Sequence, residues 1–168
     1  CRALNHIDMS AWNTSNVTGM SYMFYGLDNL EELNITSFNV GKVTNMRGMF
    51  ATYGQDINAE ELGSSKLTEL DFSWFSPFSV TDISYMFAGQ NIFEEFNLDS
   101  IFSDNAIVSM EGLFKNSSSL TTFNANNFSF YCLENTSHMF ENCTALTTVN
   151  VNREYPVTID NITNVSYM

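Results

Sequence analysis

Three glutamates, Glu32, Glu69 and Glu95, stand at one position of a unit that recurs along the chain. If the copies stack as neighbouring strands, these carboxylates fall within about 5 Å of one another, a spacing that strand pairing normally avoids. So placed, they could hold a cation such as Ca²⁺ through oxygen ligands, or a basic patch on a partner. Three solvated side chains fanned into water satisfy the same spacing, and no Asp-x-Asp-x-Asp-Gly loop accompanies them. Two residues further on, every copy has an Asx residue: Asp8, Asn34, Asp71, Asn97, Asn124 and Asn150. That column is either a polar strip for a ligand or a ladder of side-chain hydrogen bonds between copies. We take Glu32, Asn34, Glu69, Asp71, Glu95 and Asn97 as the ligand-binding candidates. Trp74 joins them as an aromatic anchor, because it and Phe78 fall outside the regular apolar columns.

Other reactive side chains point to structure. His6 and His138 have no Cys or His at ligand spacing, which argues against zinc. The methionines recur with the unit at spacings of core fillers, not of a soft-metal site. Cys132 and Cys143 are read as two thiols in or near the core, with a disulfide as the alternative; Cys1 could instead carry a lipid. Nine Asn-x-Ser/Thr triplets follow from an Asn/Ser/Thr-rich repeat, and a glycan on Asn34 would spoil the strand face for binding. No nucleophile–base set, phosphate-binding Gly loop or catalytic carboxylate pair emerges. The chain is therefore expected to be no enzyme and to use no cofactor and no metal.

The elements that place these residues come from a repeated phrase, Val-Thr-x-Met-x-x-Met-Phe. It runs Val17–Phe24 and Val43–Phe50, with looser copies ending at Phe87, Phe114 and Phe140 and a partial one at Val165–Met168. Ahead of each phrase lies a period-two pair: Ile7 and Met9, Leu33 and Ile35, Leu70 and Phe72, Phe96 and Leu98, Phe123 and Ala125, Val149 and Val151. Alternation predicts a short half-buried strand, and Val43, Met46, Met49 and Phe50 predict a short helical stripe. An aromatic follows at Trp12, Phe38, Phe75 and Phe128; the fourth copy is shifted and offers Ile101 or Phe102. The fold expected is α/β: a right-handed, leucine-rich-repeat-like solenoid with one short parallel strand and one short helix per coil of roughly 26 residues. Residues 1–168 form one array of about six coils. They are 1–29, 30–66, 67–92, 93–119, 120–145 and a truncated 146–168, within a longer protein. An insertion near 52–66 reads as a surface excursion in which Asp56 caps a turn that Gly63 ends.

Composition narrows the partners. A net charge of −13 with six Lys and Arg argues against nucleic acid and anionic membranes. No apolar run reaches the roughly 18–20 residues that span a bilayer.

Leu30-x-x-Leu33-x-Ile35-x-x-Phe38-x-Val40-x-x-Val43-Thr44-x-Met46-x-x-Met49-Phe50 resembles the 26-residue repeat of BspA-like leucine-rich-repeat surface proteins. In that family a Cys often follows Met-Phe by three residues, as Cys143 does here, and Cys1 fits the same slot. The resemblance implies an extracellular, cell-surface or secreted protein with an adhesive role. The function expected is a non-enzymatic module that binds a host or neighbouring-cell protein or glycan through the exposed strand face, as a monomeric segment of a larger chain. The alternative is a structural spacer or stalk with no ligand of its own.

Overall fold

A computed structural model describes residues 3–54, 63–102 and 106–151. Five short strands are present: β1 (His6–Asp8), β2 (Glu32–Asn34), β3 (Glu95–Asn97), β4 (Thr122–Ala125) and β5 (Thr148–Val151). They fall at places the alternation predicts; the apolar residues of β2, β3 and β4 pack into the core, whereas Val149 and Val151 of β5 are exposed. β1 and β2 pair in parallel as one sheet, and β3, β4 and β5 form a second. The register joins like with like: Ile7 to Leu33, Phe96 to Phe123, Asn124 to Asn150.

The expected α/β solenoid is not the fold. The described residues hold two small, separate parallel sheets and a single helix, α1 (Asp99–Phe102), and the rest is turns and loops. Two physical causes account for the difference. First, the third copy makes no strand, so the sheets do not join. Glu69 in a strand there would lie between Glu32 and Glu95, and like charges directly opposite destabilise pairing. The pairs that do form set Glu32 against His6 and Glu95 against Thr122.

Second, the Met-x-x-Met-Phe segments are turns. Met49 N donates to Met46 O and Ala51 N to Gly48 O, a pattern repeated by Met86 and Ala88 and by Leu113 and Lys115. These i to i+3 bonds share their spacing with a 3₁₀ helix, but every sixth residue of the phrase is left-handed. The φ values are 58° at Tyr22, 60° at Gly48, 56° at Tyr85, 56° at Gly112 and 59° at His138. A left-handed residue at the third place of a turn stops helix propagation. It also turns alternate N–H groups towards the next copy. Tyr22, Gly48, Tyr85 and Gly112 donate to Arg47, Ser84, Glu111 and Ser137 at 2.7–2.8 Å. Single bridges continue through Gly19, Asn45, Asp82, Ser109 and Asn135. This row of turns runs unbroken where the strand side is split.

The core lies between the two sides. Phe24, Phe50, Phe87, Phe114 and Phe140 stack in sequence, with ring centroids 5.6–6.3 Å apart and planes within 19° of parallel. Met46, Met49, Met86 and Met110 are fully buried beside them. In the shifted fourth copy Phe102 fills the aromatic slot: Leu98 O accepts from both Ile101 N and Phe102 N, so one helical turn absorbs the extra residue. The excursion after Phe50 is tied at its base, where Gly63 N donates to Tyr53 O and Thr52 Oγ1 donates to Gly63 O. The cap expected at Asp56 lies outside the described residues.

Candidate functional site

The strand face carries the residues singled out by the sequence, but does not gather them into one cluster. Glu32, Glu69 and Glu95 are all exposed. Glu32 Oε2 lies 2.8 Å from His6 Nδ1, a contact open to water on both sides and therefore weak. Glu69 lies outside any strand, between the two sheets. Among the described residues no group of three or more His, Cys, Asp or Glu is placed to hold a metal ion.

The Asx column performs a task that the spacing alone did not reveal. Asp8 Oδ1 accepts Ser10 N, Asn34 Oδ1 accepts Thr36 N, Asp71 Oδ1 accepts Ser73 N and Asn97 Oδ1 accepts Asp99 N. Each is a local Asx turn; those at Asp8, Asn34 and Asn97 close a strand, and Asp71 makes the same turn where the third copy has none. The Ser10 and Ser73 bonds also hold the Asp8 and Asp71 carboxyls below their ordinary range. A rung of the ladder between copies forms from Asn150 Nδ2 to Asn124 Oδ1 at 2.7 Å. Trp74 is half-buried: it packs edge-on against Phe38 and Phe75 and gives its indole N–H to Asp71 O. Phe78 and Tyr131, which occupy one column of the repeat, are open at 69% and 73% exposure, and Trp12 and Tyr22 are exposed as well.

The turn face holds a polar cluster that the sequence did not suggest. Arg47 Nε donates to Tyr22 Oη at 3.0 Å and Nη1 to Glu111 Oε2 at 3.2 Å, while Tyr85 Oη donates to Glu111 Oε1 at 3.1 Å. The guanidinium also lies 4.8 Å from the Tyr85 ring centroid, within cation–π range. Burial works against the charge on Arg47, but the bonds to Tyr22 and Glu111 outweigh it and raise its pKa. A second set joins Glu141 to His138 and to Lys115, the latter at 3.4 Å. Burial opposes that carboxylate too, and His138 and Lys115 together hold it below its usual range. The signal was the alternation of Tyr22, Gly48, Tyr85 and Gly112 in one column. Each ring covers the glycine of the next copy, so a Cβ on Gly48 would sit 2.6 Å from the Tyr22 ring.

The column three residues after Met-Phe also acquires a physical meaning. Gln90 Nε2 donates to Phe50 O, Ser117 Oγ to Phe87 O at 3.0 Å, and Cys143 Sγ to Phe114 O at 3.0 Å. Each side chain reaches back to the Phe carbonyl of the preceding copy. Cys143 is thus a buried donor; burial pushes its thiol up to about 11, far from thiolate chemistry at neutral pH. Cys132 and Cys143 are both free thiols. Gln90 Oε1 is buried without a partner at a cavity of about 10 Å³ lined also by Asp28, Thr52 and Ser65. That volume is about one water molecule's worth, which suits a packing site and not a substrate.

Exposed Glu, locally satisfied Asx and paired turn-face charges line the described surface. What they make is an acidic, patterned surface. Among the described residues no helix is long and apolar enough to cross a membrane. Neither the curated proteins nor the solved structures contain a match to the chain. A family model described as "Mycoplasma protein of unknown function, DUF285" matches residues 1–59 and again 60–168, and the chain belongs to that family.

Proposed function

We propose that this chain is a non-enzymatic interaction module of an extracellular or cell-surface protein, binding a protein or glycan through its strand face. The repeat phrase resembles that of BspA-like surface proteins, which carries the localisation and the adhesive reading. The observation that carries the binding reading is the alternation of the strand columns. Glu95 and Asn97 are exposed while Phe96 and Leu98 are buried, and Glu32 is exposed above a packed Leu33. Carboxylates are therefore presented at fixed positions on a core that ordered them in advance, which lowers the entropy cost of binding. Their sign favours a cationic patch on the partner.

A spacer without a ligand is the second reading, favoured by the Asx column. The side-chain oxygens of Asp8, Asn34, Asp71 and Asn97 are already used in local turns. The glutamates therefore decide between the two. Binding of the fluorescently labelled chain to epithelial monolayers should fall at least about tenfold, roughly 1.4 kcal/mol, in the triple variant Glu32→Ala, Glu69→Ala, Glu95→Ala. Equal adhesion by wild type and variant, or none by either, would leave the spacer.

A further inference from the structure

In the column three residues after Met-Phe, Ser117 and Cys143 each reach the preceding Phe carbonyl with a single polar atom. Gln90 does so with Nε2 and brings a second polar atom with it. That bond fixes the direction of the amide, because the reverse orientation would set two acceptors against each other. Oε1 is therefore an acceptor. It sits on a side chain only 3% exposed and makes no hydrogen bond among the described residues. A buried acceptor carries its full desolvation cost unless something donates to it.

The cavity beside Gln90 lies at the root of the excursion, where the second copy ends and the third begins. Its polar lining is completed by Asp28, Thr52 and Ser65. The protons of these groups can be followed one by one. Thr52 Oγ1 spends its proton on Gly63 O at 3.1 Å, so it faces any further partner as an acceptor. Asp28 Oδ1 accepts Tyr53 N at 3.0 Å, and an ionised carboxylate has only lone pairs to offer. Ser65 Oγ accepts Leu67 N at 3.1 Å, a bond that does not use its hydroxyl proton. Acceptors therefore outnumber donors around the cavity.

We propose that this cavity binds a single structural water. A water has two protons to give and lone pairs to accept with, which matches a lining rich in acceptors with one hydroxyl proton. It donates to Gln90 Oε1 and to an acceptor on Thr52 or Asp28, and it accepts from Ser65, the roughly three bonds typical of a buried water. The cavity volume of about 10 Å³ admits one molecule and no more. The water joins the root of the excursion to the end of the third copy, across the junction where the strand side is divided. The site is independent of any ligand on the strand face.

The test is a high-resolution crystal structure of the 168-residue chain, with crystals soaked in rubidium chloride. One oxygen-sized peak should lie within hydrogen-bond distance of Gln90 Oε1 and of at least one of Asp28, Thr52 and Ser65, without anomalous signal from rubidium. In solution, oxygen-17 magnetic relaxation dispersion should lose one long-lived water in Gln90→Met, which keeps the length of the side chain and removes both amide atoms. A rubidium peak at Gln90 would make this a cation site and overturn the proposal. So would the lack of any peak there, or a dispersion that Gln90→Met leaves unchanged. If circular dichroism shows that Gln90→Met does not fold, Ser65→Ala is the second variant. It should shorten the residence time of the same water about tenfold, as for the loss of one hydrogen bond, and an unchanged residence time would count against the proposal equally.

Discussion

The residue that decides the local structure is the sixth of each phrase. Tyr22, Tyr85 and His138 adopt a left-handed backbone that costs an ordinary side chain about 1–2 kcal/mol. The tyrosines recover that cost by spreading over Gly48 and Gly112 and by bonding to Arg47 and Glu111. The glycines are needed twice over, for their φ and for the ring above them. Gly112→Ala should therefore cost roughly 1–2 kcal/mol from the backbone and about 1–3 more from the clash with Tyr85. In a Tyr85→Ala background only the backbone part should remain, so urea unfolding of the four proteins should give a coupling of about 1–3 kcal/mol. A Gly112→Ala cost near zero would mean that the turn geometry is not as described. Two glycines among three bulky residues made this column hard to recognise in the sequence, because only the glycines announce a left-handed turn.

At the scale of the element, most of the expected strands were legible, the one at Leu70 and Phe72 does not form, and the expected helices are turns. Ile7–Met9, Leu33–Ile35, Phe96–Leu98 and Phe123–Ala125 alternate cleanly, and alternation has one reading when one face is buried. Val43, Met46 and Met49 recur every three residues, and that spacing fits any series of i to i+3 bonds, whether they form a 3₁₀ helix or successive turns. The burial of the phrase follows from its apolar residues in either case. The Phe column is the clearest instance: Phe87 is wholly buried, stacked between Phe50 and Phe114 and met edge-on by Phe72 and Phe93. Phe87→Ala should cost about 3–5 kcal/mol, read from chemical denaturation with an unchanged m-value. A loss below about 1 kcal/mol would mean that neighbouring rings close over the gap or that the column is not core. The candidate site was half legible at this scale. Exposure of Glu32, Glu69 and Glu95 followed from alternation, but the Asx turns depend on the chain bending after each strand, which spacing does not record.

For the whole molecule, the two sides of the stack have different continuity. The strand side is divided at the third copy, whereas the turn side passes through it: Gly48 N reaches Ser84 O, Phe50 N reaches Met86 O and Thr52 N reaches Ala88 O across that same junction. The Phe stack crosses it too, from Phe50 to Phe87. If the turn row and the core join the two sheets into one cooperative unit, the amides that bond between copies open only on global unfolding. Hydrogen exchange should then protect Gly48, Phe50, Tyr85, Phe87, Gly112 and Phe114 to a common free energy, on both sides of the junction. Thr68, Glu69 and Leu70, whose amides bond to neither sheet, should exchange orders of magnitude faster within the same molecule. Two protection levels along the turn row, changing between Phe50 and Phe87, would instead show two units that fold separately, each with its own small sheet. The acidic strand face would then be two short surfaces able to move against one another, and a partner spanning Glu32 and Glu95 would have to hold them together.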